Sequence, residues 1–242
     1  MLEEVGRPEQ EKDLDASALA LASLAMARGF AAGATMWCVA PCWPSHGSHV
    51  AVEFVHPVIV GKRALPAVHL EAKDLVGTVR VVSRPGDIVV ALGGPGDVDV
   101  EALLRRCEAW GLTTVWIGAG RRPHGARVDH LIWVEGADMA EAARSGELVL
   151  RYHLLWELTH VVFEHPGLLT KQQRCNDDVC ITCSDEGRLA EITFVHGGGQ
   201  ADVVAEGSVE TVDVSLVDQA QAGDLVLVHA GVAITRVEGT RS

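Results

Sequence analysis

Two groups of side chains in this sequence have the types and spacing to do chemistry. The first is Ser48-His-Val-Ala-Val-Glu53, in which a histidine and a glutamate stand four residues apart. On a helix that spacing puts both on one face, where His49 and Glu53 could ligate one metal ion or act as a proton-transfer pair. The same spacing also describes an exposed ion pair contributing a few tenths of a kcal/mol. The second group is Cys175-x4-Cys180-x2-Cys183. This matches the first three ligands of a plant-type [2Fe–2S] site, but no cysteine follows Cys183. A structural zinc site would need a fourth ligand, with His196 or His229 available. Three ordinary thiols in and beside a linker also satisfy the pattern.

The elements that position these residues divide into two textures. Apolar helices and strands alternate from Leu14 to about Gly167. A helix is predicted over Leu14–Phe30, followed by short apolar strands at Thr35–Ala40, Ala67–Leu70, Asp87–Leu92, Thr113–Gly118 and His130–Glu135. Ser48 is expected to cap a helix carrying His49 and Glu53, and Asp97 one over Val98–Trp110. A long helix over Met139–Phe163, divisible at Gly146, closes this unit. Strands buried on both faces and joined by helices imply a mostly parallel α/β sheet.

After Leu169 the pattern changes. The expected organisation is an α/β domain over residues 1–168, a linker over 169–178 and a small β-barrel over 179–242. Strands are expected at Val179–Cys183, Leu189–His196, Ala201–Ala205, Val209–Val217 and Leu225–Val237, with turns at Gly197-Gly-Gly-Gln and Ala222-Gly-Asp.

Composition limits the function. With 48% apolar and 22% charged residues among 242, the chain can bury a sizeable core and is not disordered. A net charge of −13 disfavours nucleic-acid binding. The acidic N-terminus is unlike the positive start of a signal peptide, and Arg28, Gly29, Gly33 and Pro41 interrupt the most apolar stretch, so a membrane span is not expected. Six cysteines without a secretory signal suggest reduced thiols in a cytoplasm.

The words Val179-Cys-Ile-Thr-Cys-Ser-Asp, Ala190-Glu-Ile, Val212-Asp-Val-Ser-Leu-Val and Gly223-Asp-Leu-Val-Leu-Val-His-Ala-Gly-Val-Ala-Ile234 resemble the HypC/HupF family of [NiFe]-hydrogenase maturation chaperones. The resemblance implies an OB-like barrel that handles an Fe(CO)(CN)2 unit together with a HypD-like partner, before delivery to the hydrogenase large-subunit precursor. By position in the motif, the cysteine is Cys180 and the histidine is His229. A soft thiolate and an imidazole both suit iron. Cys180 is internal here, whereas the family cysteine usually follows the initiator methionine, and the family's C-terminal helix has no counterpart before Ser242.

The first domain resembles the sugar isomerase (SIS) family, nearest to the phosphoheptose isomerase type. Ser48-His-Val-Ala-Val-Glu53, Lys62-Arg-Ala-Leu-Pro-Ala-Val, Gly86-Asp-Ile-Val-Val and Gly111-Leu-Thr-Thr-Val-Trp-Ile-Gly follow in family order. The resemblance implies that His49, Glu53 and His160 are catalytic residues or zinc ligands, with Tyr152 in place of a family glutamine and Glu157 close by. Ser45 and Ser48 would contact a carbohydrate phosphate. Both phosphate loops depart from the family. Pro41-Cys-Trp-Pro-Ser-His-Gly-Ser replaces a glycine-rich loop, and Gly93-Gly-Pro-Gly-Asp97 offers a carboxylate where the family offers hydroxyls. The leading expectation is therefore a cytoplasmic hydrogenase-maturation accessory protein with a degenerate SIS-like domain that binds a partner, a ligand or a second copy. The rival is a metal-dependent isomerase of phosphosugars such as sedoheptulose 7-phosphate.

Overall fold

A computed structural model describes residues 7–169, 188–229 and 231–237, with side chains described from residue 16 onward. The first unit is a five-stranded parallel sheet in the order β2-β1-β3-β4-β5. Its strands are β1 (Met36–Val39), β2 (Ala67–Leu70), β3 (Ile88–Leu92), β4 (Thr113–Ala119) and β5 (His130–Val134). The central strand β3 is buried along its whole length, as its unbroken Ile-Val-Val-Ala-Leu sequence requires. At the start of the sheet Asp87 accepts from the Thr35 amide (2.8 Å), the Arg84 amide (3.0 Å) and the Trp37 indole (2.9 Å), tying the entries of β1 and β3 together.

On one face of the sheet pack α1 (Arg7–Ala31), α2 (Pro44–Val55), α5 (Met139–Ser145) and α6 (Glu147–Glu164), around Met36, Phe54, Ile88, Ile117 and Tyr152. On the other face pack α3 (Leu75–Val82) and α4 (Val98–Cys107), around Val89, Leu103, Trp110, Trp116 and Trp133. Asp97 caps α4 as expected, its carboxylate accepting from the Val100 amide at 3.3 Å. Gly146, at φ +82°, ends α5 and starts α6, so the long helix is divided there.

The structure differs from the sequence reading at three places, two of them with a clear physical cause. Helix α2 starts at Pro44 rather than at Ser48, because proline suits the first helical position, where its missing N–H has no partner anyway. Ser48 is therefore inside the helix. Helix α3 was not expected, since its Val-rich Leu75–Val82 sequence has low helix propensity; the Asp74 cap, which accepts from the Gly77 amide at 2.8 Å, starts it. Between β4 and β5 the chain crosses without a helix, through the loop from Gly120 to Asp129.

The second unit is a closed barrel in the order β10-β8-β7-β6-β9. Its strands are β6 (Arg188–Val195), β7 (Gln200–Ala205), β8 (Ser208–Asp213), β9 (Leu225–His229) and β10 (Val232–Arg236). The expected strand over Leu225–Val237 is two strands, with Gly231 at φ +80° in the reversal. The core is small and aliphatic: Ile192, Val203, Val212, Val226 and Val228. The strand expected at Val179–Cys183, most of the linker, Cys175, Cys180 and Cys183 lie outside the described residues.

The barrel rests on the α3–α4 face. Val204 joins the core on that side of the sheet. The Gly207 amide donates to the Ala109 carbonyl at 3.0 Å, and the Trp110 indole donates to Glu191.

Candidate functional site

Helices α2 and α6 bring His49, Glu53 and His153 to one point. His49 Nε2 lies 3.2 Å from Glu53 Oε1 and 3.3 Å from His153 Nε2, and His153 Nε2 lies 3.6 Å from Glu53 Oε1. Ligands at zinc–nitrogen and zinc–oxygen bond lengths around a tetrahedral ion stand about 3.3 Å apart. These three atoms therefore have the spacing of one tetrahedral face, and among the described residues they form the one group of at least three such side chains that could hold a metal ion. The donor set fits zinc, with the fourth position open. Such an ion would polarise a bound oxygen or lower the pKa of a bound water. All three side chains are only partly buried, so a ligand can reach them.

Behind this group stands Tyr152, buried, with its phenol oxygen 2.8 Å from His49 Nδ1 and 3.4 Å from His46 Nδ1. Burial and then the Glu53 charge push the phenol up to about 12, so it stays protonated. Burial and then His49 hold His46 below the ordinary histidine value, keeping it neutral and able to accept. The phenol thus occupies His49 Nδ1, so Nε2 is the ring nitrogen that faces Glu53 and His153.

His160 does not join them. It is buried, with Nδ1 2.9 Å from the Trp156 carbonyl and Nε2 2.9 Å from the Arg63 carbonyl. Seven residues after His153 it lies on nearly the same helix face but about 10 Å further along the axis. Glu157 instead faces Lys62, at 3.4 Å. Sequence reasoning missed His153, although its seven-residue separation from His160 was the available signal.

The two loops beside the sheet offer an anion little. In the first, Pro41 and Pro44 have no N–H, and the His46 and Gly47 amides both donate to the Trp43 carbonyl. In the second, the amides of Gly93, Gly96, Asp97 and Val100 already donate within the protein. Cys42 is exposed beside Asp97; burial and then that carboxylate raise its thiol pKa, which disfavours a thiolate. Ser45 is exposed in the first turn of α2, and the Ser48 hydroxyl lies 2.9 Å from His69 Nδ1. In the barrel, His229 closes β9 opposite Val232 of β10, half-buried.

Residues 187–241 match the HupF/HypC family model. That span contains the whole described barrel. No curated protein matches the chain. Among solved structures, the α/β unit is similar to the phosphoheptose isomerase GmhA from Neisseria gonorrhoeae, at 18% identity over 62% of this chain and 89% of that one, with a TM-score of 0.50. It is similar to a phosphoheptose isomerase from Francisella tularensis at 16% identity, over 63% of this chain and 92% of that one, also with a TM-score of 0.50. The first unit thus has the fold of these phosphoheptose isomerases, and the second coincides with the HupF/HypC match. Among the described residues, no helix is long and apolar enough to cross a membrane.

Proposed function

We propose that the protein is an accessory factor of [NiFe]-hydrogenase maturation. Its HupF/HypC-type barrel would handle the Fe(CO)(CN)2 unit as cargo, with the Cys180 thiolate and the His229 imidazole as the groups that meet it. The single observation supporting this reading is the family match over residues 187–241, which coincides with a closed barrel. A HypD-like protein and the hydrogenase large-subunit precursor are the partners this implies, and the cytoplasm is the compartment. The α/β unit would bind a partner, a ligand or a second copy.

The test is anaerobic co-purification with a HypD-like protein, followed by infrared spectroscopy for CO and CN stretches. Cys180→Ala is expected to abolish the bands and the maturation of the client hydrogenase in a strain lacking any second HypC-like protein. Cys175→Ala and Cys183→Ala should retain substantial maturation activity. Normal maturation by Cys180→Ala overturns the assignment.

A second reading, a metal-dependent phosphosugar isomerase, is favoured by the convergence of His49, Glu53 and His153 on a SIS-type fold. The occupied loop amides and Asp97 weigh against phosphate binding. Cation binding at the α2–α6 site is compatible with either reading.

A further inference from the structure

On the opposite face of the sheet from His49 lies a cleft of about 280 Å3, walled by α4, the β4–β5 loop and the barrel. It lies beside the helix-free β4–β5 crossover. Its inner surface is apolar, with Leu104 and Trp116 from the α/β unit facing Leu189 and Leu225 from the barrel. The Trp116 indole N–H is already donated to the Gly93 carbonyl at 3.0 Å, so it has no donor left for an occupant.

The rim is cationic. Arg105, His124 and Arg127 line it. The Arg105 Nε is buried without a hydrogen-bond partner. Arg127 has no ion pair among the described residues. Glu101 also lines the cleft, but it accepts from the Gly96 amide at 3.0 Å and lies 3.7 Å from Arg105. The loop from Gly120 to Asp129 carries three arginines and a histidine; its one carboxylate, Asp129, accepts from the Thr114 amide and hydroxyl, and Arg122 is paired with Glu135. An arginine without an ion pair, Arg127, and the partnerless Nε of Arg105, at the edge of an apolar hollow between two units, favour a ligand of matching polarity.

We propose that this cleft binds a small amphiphilic anion, its carboxylate or phosphate head on Arg105 and Arg127 and its apolar body between Trp116 and the barrel leucines. Because both units wall the cleft, such a ligand holds the barrel against the α/β unit.

The experiment titrates the full chain with 1-naphthyl phosphate and 1-naphthoate, whose relative affinities identify the preferred head. Inorganic phosphate and neutral 1-naphthalenemethanol serve as the head-only and body-only controls. At least one naphthyl anion is expected to saturate at one per chain, with both controls weaker by about tenfold or more. Arg127→Glu, at an exposed position, should weaken the anion about tenfold or more with the fold intact by circular dichroism. Val237→Asp, which places a like charge on the barrel wall, should do the same, whereas Arg144→Glu on α5 should leave binding unchanged. Absence of saturable binding by either anion overturns the proposal, as does binding indifferent to Arg127→Glu.

Discussion

The Tyr152 phenol oxygen lies 2.8 Å from His49 Nδ1, and this contact fixes which nitrogen His49 can offer to a ligand. With Nδ1 engaged, Nε2 faces Glu53 and His153. Tyr152 is therefore a support for the metal-facing side chain beside it, and is not one of the three that converge.

The contact predicts a graded response of zinc affinity. His153→Ala removes a donor and should abolish tight binding. Tyr152→Phe keeps every donor but frees the His49 ring, and a loss of about 10–100-fold is expected. His160→Ala should leave zinc affinity unchanged while costing about 1–3 kcal/mol of stability, because the buried ring and its hydrogen bonding to the backbone are lost. Competition titration against a chelator, with urea unfolding in parallel, separates the three. Equal zinc affinity in His153→Ala and the parent would sink the site.

Much of this arrangement was legible in the sequence. The parallel strands, the Asp97 cap and the His49–Glu53 pair follow from apolar runs, a capping residue and helical spacing, all of which are local signals. What was not legible depended on tertiary packing. Whether His153 or His160 meets His49 depends on where along α6 the α2 helix crosses, and two residues on one helix face give no hint of that. Helix α3 was missed because β-branched residues conceal a helix held by its cap and its packing. The rim formed by Arg105 and Arg127 joins α4 to a loop that sequence reading passes over.

The loops predict indifference to phosphosugars. Sedoheptulose 7-phosphate at millimolar concentration should leave the melting temperature unchanged, since the Gly93, Gly96 and Asp97 amides already donate within the protein and the loop carries a carboxylate. A ligand at 100 times its dissociation constant would add about 2.7 kcal/mol, which a melt detects. An upward shift that disappears in His49→Ala would instead favour the isomerase reading.

The seating of the barrel predicts a variant that separates the units without unfolding either. Glu206 and Gly207 form the β7–β8 turn with φ of 49° and 77°, and the Gly207 amide reaches the Ala109 carbonyl. A Cβ at residue 207 would meet Pro85 Cβ at 2.6 Å. Gly207→Asn, a residue that tolerates the positive φ of this turn, should therefore push the barrel away from α4. Small-angle scattering should show a larger radius of gyration, while circular dichroism stays unchanged. An unchanged radius in a folded variant would mean that the turn does not hold the interface.

The last prediction concerns acid. Burial, only partly offset by Asp129, lowers the His130 pKa from its ordinary 6.5. The folded protein therefore prefers neutral His130 more strongly than the unfolded chain does. As pH falls through 6.5 the unfolded state takes up the proton first, so stability declines. The decline stops below the folded-state value, where both states are protonated. His46 is shifted the same way and adds to the effect. Asp202 and Asp213 act in a lower window: hydrogen bonds from His196 and Thr211 to the first, and from Ser215 to the second, lower their pKa values below 3.8. Their contribution is present above that value and is lost only as pH falls through the folded-state values. Comparing urea midpoints at about pH 7 and about pH 5 therefore isolates the histidines. The midpoint should drop on acidification, and the drop should be smaller in His130→Gln, which cannot take up the proton. A variant that loses as much stability as the parent over this interval would show that His130 titrates alike in both states.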